Sequence, residues 1–361
     1  MTGTAQLEFA QLPTPMQAVL TSLAKKTKTV FLTGAGGFLG KALCRYLRSA
    51  GIQVVGFSRS HYPDLDALGV KTHQGDIADK TAVLSAMAGC DLVFHVASKA
   101  GVWGDKESYF SPNVTGTENI ISACQALNIR TLVYTSTPSV TFTGQDENGI
   151  DETQPYAPQF LNFYGLSKAI AERHVLQSDN CSLSNGYTLQ TTALRPHLIW
   201  GPGDPHLVPR VLERAKAGKL KLVGKEDKLV DTIYIDNAVY AHLLAAVNLT
   251  KSAPSCAGKA YFLSNDEPIL MAEMLNKILA CKNMSPIEKR VPAHIAYLVG
   301  TVLEWIYIVL KKQNEPIMTR FVARQLSTSH YFDISAAKTD LGYLPLVSIE
   351  QGMEKLKASL N

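Results

Sequence analysis

Short apolar runs that end at a glycine or a small polar residue recur through the first half of the chain, with amphipathic stretches between them. Residues 29–33 (TVFLT) are apolar, rich in β-branched side chains and closed off by glycines, the pattern of a strand buried on both faces of a parallel sheet. Runs of the same kind at 53–57, 70–74, 91–97 and 130–135 predict four more strands. Between the first two, residues 38–49 place Leu39, Leu43, Tyr46 and Leu47 at helical spacing, and 79–87 and 113–127 carry similar patterns. Strand and helix alternate, which predicts an α/β fold: a doubly wound parallel sheet of Rossmann type.

Further along, the alternation loosens. Residues 163–177 read as a helix and 191–200 as a strand that runs into Gly201-Pro202-Gly203. Smaller elements are predicted at 207–217, 236–247, 260–263 and 271–279, with no internal repeat and no low-complexity linker. The expected division is an N-terminal extension over 1–27 with a short helix near 16–25, a dinucleotide-binding domain over 28–200, and a smaller, interleaved substrate-binding cap over 201–361 whose residues 236–264 return to the sheet. Residues 293–310 (AHIAYLVGTVLEWIYIVL) approach the length of a bilayer span and precede Lys311-Lys312, but His294 and Glu304 interrupt them. Those interruptions favour a buried or lid helix over an apolar pocket. A helix lying on a membrane surface, a peripheral contact, is the second reading, and a true span the third.

Composition narrows the class. The chain has 361 residues, 46% of them hydrophobic and 18% charged, enough for a sizeable core and unlike a disordered chain. A net charge of +4 is small for this length and does not point to nucleic acid. Six scattered cysteines without a C-x-x-C pair suggest buried thiols in a reducing, cytoplasmic compartment, and no metal site is expected. The first 27 residues show no basic start followed by a long apolar run, so no secretory signal is expected.

Candidate chemistry begins at Gly34-Ala35-Gly36-Gly37-Phe38-Leu39-Gly40, after the first strand and at the start of the first helix. Gly34 permits a tight turn, Gly37 lets the backbone approach phosphates, and Gly40 lets the helix pack on the strand. With Gly36, Phe38 and Leu39, these residues form a candidate seat for a dinucleotide pyrophosphate at a helix N-terminus. Asp76, beside Ile77, follows the third strand, where a carboxylate can accept from the adenine amine. Ala97 and Ser98 end the fourth strand beside the crevice. The second strand runs into Ser58-Arg59 with no acidic residue for a ribose 2′-hydroxyl. Arg59, helped by Ser58, can instead bind a 2′-phosphate, so the expected cofactor is NADP(H).

Tyr164 and Lys168 lie four residues apart on the predicted helix and share a face. An ammonium beside a phenol stabilises the phenolate and lowers a pKa that is ordinarily about 10. Such a phenol can protonate a developing alkoxide near neutral pH. Thr135-Ser136-Thr137 closes the fifth strand, and a hydroxyl there can hold the substrate oxygen against Tyr164; spacing alone does not choose among them. Asn113 fits either a proton relay or a helix cap.

From about Lys28 onward the chain resembles the extended short-chain dehydrogenases/reductases. The resemblance rests on the glycine stretch from Thr33, Gly75-Asp76, His95-Val96-Ala97-Ser98, Asn113-Val114-Thr115-Gly116-Thr117, Tyr134-Thr135-Ser136-Thr137, Tyr164 with Lys168, and Leu194-Arg195-Pro196-His197. Arg195-Pro196-His197 followed by Gly201-Pro202-Gly203-Asp204-Pro205, and residues 231–237 (DTIYIDN), are similar to the branch of 3β-hydroxysteroid and sterol-4-carboxylate dehydrogenases. Residues 97–104 (ASKAGVWG) and 135–140 (TSTPSV) resemble, more finely, a family of bacterial reductases of 2-alkyl-3-oxoalkanoates in head-to-head olefin biosynthesis.

The superfamily resemblance implies Tyr164 as acid/base, Lys168 as its partner and a ribose contact, and Pro196 at the nicotinamide. Thr137 stands where the family carries a catalytic serine, with Ser136 beside it. The finer resemblance implies NADPH-dependent reduction of a long-chain β-keto acid. The implied pathway partners are a thiolase, a β-lactone synthetase and a β-lactone decarboxylase, and related enzymes imply a homodimer. Such a substrate needs an apolar pocket, for which Tyr297, Trp305 and Tyr307 are candidates. It also needs a cation for its carboxylate: Lys99 or Arg210, with Trp103 nearby. The competing expectations are an NAD(P)-dependent 3β-hydroxysteroid or sterol-4-carboxylate 3-dehydrogenase, a membrane scaffold held by 293–310, and a non-catalytic NADP-sensing regulator, a type that ordinarily loses the Tyr/Lys pair.

Overall fold

Seven strands build the central sheet: β1 (Thr29–Thr33), β2 (Gln53–Ser58), β3 (Lys71–Gln74), β4 (Leu92–His95), β5 (Thr131–Thr135), β6 (Gln190–Pro196) and β7 (Lys259–Leu263). Their order is β7-β6-β5-β4-β1-β2-β3, and every neighbouring pair is parallel. This computed structural model describes residues 7–312 and 314–361, so residues 1–6 of the expected N-terminal extension lie outside the described residues. The α/β, doubly wound architecture is the one expected from the sequence. Strand order reverses between β1 and β4, which opens a crevice at their C-terminal ends.

Alternate side chains serve opposite faces. Val30 and Leu32 of β1 join Leu92 and Phe94 of β4 in one apolar cluster, while Phe31 and Val93 join the cluster on the other face. Both faces are therefore buried, which is why these strands read as unbroken apolar runs. Five helices frame the crevice and its surroundings: α1 (Thr14–Ala24), α2 (Phe38–Ser49), α3 (Phe163–Gln177), α4 (Ile235–Leu249) and α5 (Ala293–Val309). Helix α4 lies against β5 and β6 on one side and against α1 and α2 on the other. Its Ala238, Ala241, Ala245 and Ala246 are fully buried, small enough for the neighbouring elements to come close. Met16, Leu20 and Leu23 of α1 enter the same core cluster, so the segment ahead of β1 contributes packing.

Three sequence expectations change. The strand expected over 191–200 ends at Pro196. Leu198 takes a φ of +45°, and Ile199–Trp200 leaves the main sheet to pair with Ile233–Tyr234. The run stays apolar because Trp200 is buried in the core against Tyr234, so hydropathy could not show the break. The helix expected over 113–127 is regular only from Gly116 to Leu127, and a wider π-type turn, Ser111–Thr115, containing Pro112, precedes it. Helix α5 is buried along one side only. Ala296, Gly300 and Glu304 face inward, while Leu298, Trp305 and Ile308 stand 63–66% exposed. Trp305 therefore stands on the outer face of the helix. Among the described residues no helix is long and apolar enough to cross a membrane.

Around the sheet's open end, Glu147–Ile150, Leu229–Val230, Ile269–Leu270 and His330–Phe332 form a four-stranded sheet. Glu147–Ile150 comes from the first half of the chain and pairs with His330–Phe332, so the smaller unit is interleaved with the large one. Leu20→Ala is expected to cost about 2–5 kcal/mol, the usual range for emptying a well-packed leucine site. Urea unfolding measures it, and a loss far below that range would mean that α1 adds little to the core.

Candidate active site

The turn after β1 is built on close approaches. Gly34 has a φ of +69°, and its N–H donates to the Phe57 carbonyl at 2.9 Å. A Cβ on Gly34 would sit 2.9 Å from the Ala97 backbone, and one on Gly40 would sit 2.1 Å from the Gly34 carbonyl oxygen. A side chain at either position would push β1, β4 and α2 apart. Gly37 caps α2 and offers no side chain to its first amides. Those N–H groups stay open at the N-terminus of a 12-residue helix, together with the helix dipole. This cradle fits a dinucleotide pyrophosphate.

A buried network fixes the crevice behind the turn. Thr33 Oγ1 accepts from the Val96 and Ala97 amides at 3.1 and 3.0 Å. Its hydroxyl can then donate only to His95 Nδ1, at 2.9 Å. On the other side, His95 Nε2 meets the Thr117 hydroxyl at 2.9 Å, whose own proton goes to the Asn113 carbonyl. His95 is thus neutral with its proton on Nε2, and burial, then the Lys168 charge, push its pKa down to about 3.

At the far end of the crevice, Arg59 is exposed and its guanidinium has no partner among the described residues. The Ser58 hydroxyl donates to the Ser60 carbonyl at 2.8 Å, so it is not the free donor expected from the sequence. The Tyr62 ring lies directly over Gly36, with Lys41 Nζ 4.9 Å from its centroid; nothing in the sequence marked this tyrosine. Asp76 spends one carboxylate oxygen on the Ala78 amide at 2.9 Å. Ile77 is buried against Gly116, and its carbonyl accepts from Asn119. Ala97 is partly buried and Ser98 exposed at the mouth, with Pro196 buried at the end of β6.

Asn162 caps α3, its Oδ1 accepting from the Gly165 amide at 2.8 Å, which sets Tyr164 in the first turn. Lys168 and Glu172 follow at intervals of four on the same face. Lys168 is 1% exposed; its Nζ donates to the Thr135 carbonyl at 2.6 Å and lies 4.1 Å from the centre of the Tyr134 ring. Burial pulls its pKa down to about 7, against the pull of the Glu172 carboxylate. The sequence reading had this ammonium acidifying Tyr164. Instead, burial pushes the Tyr164 phenol above its ordinary value, and the opposing influence is a hydrogen bond with Thr137.

That contact sorts the three hydroxyls of β5's end. Thr135 Oγ1 is taken by His242 Nε2 at 2.9 Å, beneath the crevice floor. Ser136 Oγ is buried without a hydrogen-bond partner among the described residues, and Thr137 meets Tyr164. Glu172 was not singled out from the sequence. It is buried and takes three hydrogen bonds from Arg195, the shortest 2.6 Å, and one from Tyr156 at 2.8 Å. Its only sequence signal is the interval of four from Lys168.

Asn113 caps no described helix, and its side chain holds backbone. Its Oδ1 accepts from the Lys99 amide at 2.7 Å, and its Nδ2 donates to the Lys99 carbonyl at 3.1 Å and to Ser167 Oγ at 2.9 Å. It clamps Lys99 onto α3, beside Lys168. Lys99 Nζ lies 4.7 Å from the centre of the Tyr109 ring and makes no ion pair among the described residues. The Tyr109 ring is in turn 6.5 Å from that of Tyr164, a neighbour the sequence did not flag. Arg210, the other candidate cation, is paired with Glu315 at 2.9 Å on the surface. Trp103 donates to the Lys312 carbonyl at 3.1 Å and packs edge-on against Tyr307, tying the loop after β4 to the end of α5. A carbonyl between Tyr164, Thr137 and an open cofactor cradle can accept a proton from the phenol as it is reduced.

Known proteins resemble this chain along most of its length. The 3-beta hydroxysteroid dehydrogenase/isomerase family matches residues 31–291. The chain is 65% identical over 345 residues to the 2-alkyl-3-oxoalkanoate reductase of Shewanella oneidensis, covering 95% of this chain and 89% of that one. It is 50% identical over 333 residues to the protein of the same name in Stenotrophomonas maltophilia, covering 91% and 98%. The fold matches a UDP-glucuronic acid 4-epimerase from Bacillus cereus solved in complex with NAD, at a TM-score of 0.69 and 20% identity over 92% of this chain and 98% of that one. The protein is thus an oxidoreductase of the extended short-chain dehydrogenases/reductases, which use nicotinamide cofactors, and it belongs to the 3-beta hydroxysteroid dehydrogenase/isomerase family.

Proposed function

We propose that this protein reduces the 3-oxo group of a long-chain 2-alkyl-3-oxoalkanoate, with NADPH, to the 3-hydroxy acid. One observation carries the reading: Lys99, an ammonium with no ion pair among the described residues, is clamped beside Tyr109, whose ring neighbours that of Tyr164. A β-keto acid has its carboxylate two carbons from the carbonyl, so one cation near the proton donor can hold the first while the phenol serves the second. The names of the Shewanella and Stenotrophomonas relatives agree with it.

The reduced nicotinamide supplies a hydride when bound. The chain supplies the rest. Tyr164 gives its proton to the developing alkoxide, and Thr137 hydrogen-bonds the same oxygen. Lys168, whose charge also steadies the ribose end, favours the phenolate left behind. Holding the acid by its carboxylate and reducing it promptly also limits loss of CO2 from a compound prone to it. The 3-hydroxy acid is then the substrate for a β-lactone synthetase, after supply of the keto acid by a thiolase and before a β-lactone decarboxylase. The protein acts as a homodimer in this scheme.

The deciding assay is NADPH oxidation with a synthetic 2-alkyl-3-oxo acid, set beside NADP+ reduction with a 3β-hydroxysterol. Turnover of only the sterol would replace the keto acid with a steroid substrate. Tyr164→Phe is expected to lower kcat by about 10² to 10⁴, the usual worth of a positioned proton donor. Lys99→Gln is expected to raise KM for the acid about 10- to 100-fold, since a hydrogen bond to a charged group contributes about 1.5–3 kcal/mol. Its KM for the matching methyl ester should change little, and equal losses on acid and ester would remove Lys99 from the carboxylate. Arg59→Ala should weaken NADPH about tenfold or more while sparing NADH, read by isothermal titration. Lys168 is charged below about pH 7 and loses its proton above it. Reductive kcat/KM should therefore hold on the acid side and fall as pH rises through that region, and a profile rising with pH would contradict this assignment.

A further inference from the structure

Helix α5 carries an unpartnered apolar face. Ile295, Leu298, Val302, Trp305 and Val309 recur at intervals of three and four, so they form one stripe, and each is exposed. Ile317, 73% exposed, continues it beyond the helix end. At about 100° per residue, Ala296, Gly300 and Glu304 lie on the opposite side, facing the protein. A Cβ on Gly300 would sit 2.7 Å from the Thr319 backbone, and Glu304 is tied to Arg320 by an ion pair at 2.7 Å and an amide hydrogen bond at 2.6 Å. The helix is fixed by its polar and small residues and shows its large apolar residues to the outside. This inverts the usual arrangement for a helix at a protein surface.

The exposed charges at the C-terminal end of the stripe are basic, while at its other end exposed Glu288 stands beside Lys289. Glu304 is the only acidic residue between 293 and 312, and it is turned inward. Lys311 and Lys312 are exposed at the C-terminal end. At the other end, Lys289 is exposed just before Arg290–Val291, the strand that leads into the helix, and Lys221 just before its partner strand Leu222–Val223. An apolar stripe bordered by lysines, with a tryptophan in it, has the chemistry of a helix lying in the headgroup region of an anionic bilayer. The stripe also connects to the active site, since Trp103, four residues from Lys99, holds the end of α5 through Lys312 and Tyr307.

We propose that α5 docks this protein flat on anionic lipid, with the Ile295–Val309 stripe in the interface and Lys221, Lys289, Lys311 and Lys312 on the headgroups. The mouth of the active site then opens near the surface in which a substrate with long alkyl chains would partition. That consequence rests on the proposed function; the docking itself rests on the stripe and its lysines.

The test is flotation of the intact protein with vesicles of phosphatidylglycerol and phosphatidylcholine, or of phosphatidylcholine alone. Wild type should float at least about tenfold more with the anionic vesicles, and salt should release it. Leu298→Ser with Ile308→Ser should abolish flotation, and so should Lys311→Glu with Lys312→Glu, while both keep wild-type melting temperatures. Trp305 emission should shift to the blue on anionic vesicles in a Trp103→Phe background, since Trp200 is fully buried. Wild type left wholly at the bottom of the gradient overturns the proposal. So does a Leu298→Ser, Ile308→Ser protein that floats as wild type does, or one that turns a dimer into a monomer when wild type does not float, because a second copy then covers the face. No step of this test uses a ketone, so its failure is distinct from a failure to turn over the keto acid.

Discussion

A lysine that is 1% exposed, with no ion pair to a carboxylate among the described residues, is the costliest object in this site. Its neighbourhood accounts for how it is kept. The Thr135 carbonyl takes one proton, the Tyr134 ring lends its negative face, and the Glu172 carboxylate one turn on supplies a field. Glu172 cannot move closer, because Arg195 and Tyr156 hold it from the other side. The result is an ammonium poised near neutrality instead of a locked ion pair. An ion-paired lysine would keep its proton throughout the physiological range and would add little leverage over a nearby phenol. Burial lowers Lys168 and raises Tyr164, so each is moved toward its neutral form. A pair held this way leaves the charged state to be formed when a substrate oxygen takes the proton.

The same constraint organises the backbone. The Thr135 carbonyl is free for Lys168 because it lies at the last residue of β5, where the chain leaves the sheet. The hydroxyl of that residue is held beneath by His242 on α4. Thr137, two residues on, then emerges beside Tyr164. Asn113 fastens the loop after β4 to Ser167, the residue before Lys168, so Lys99 is set relative to the proton donor by three hydrogen bonds. Two loops and one helix are thus held in register by buried amides and hydroxyls. These bonds are worth most where water is excluded, and costly if one partner is lost.

How much of this the sequence displayed depends on the range of the interaction. The strand–turn–helix around Gly34, the helix bearing Tyr164 and Lys168, and the apolar runs of β1 to β5 are local patterns, and they were legible to within a residue or two. Tyr109 and Tyr62 had no such signal, since each becomes part of the site only through a contact the fold creates. Thr135, Ser136 and Thr137 looked interchangeable because their difference lies in partners a hundred residues away or across the crevice. Leu198 misled for a related reason: hydropathy reports burial, and Trp200 is as buried after leaving the sheet as it would have been within it. In α5 the composition was visible but not its orientation. Inward-facing Glu304 needs Arg320 as a partner, and that partner cannot be read from the helix itself.

The orientation of α5 follows from an argument about cost. Turning the helix by half a revolution would bury the apolar stripe and free Glu304 to water, which alone would be favourable. It would also set large side chains where Gly300 meets the Thr319 backbone at a distance that admits no Cβ, and it would strip Arg320 of its carboxylate. The packing surface is therefore cut for small residues and one ion pair, and it fixes the exposed face whatever that face contains. A face dictated by packing alone would be free to carry lysine and glutamate, as solvent-facing helices do. This one carries Leu298, Val302 and Trp305. Their presence where packing does not ask for them is what marks the face as a surface for something apolar.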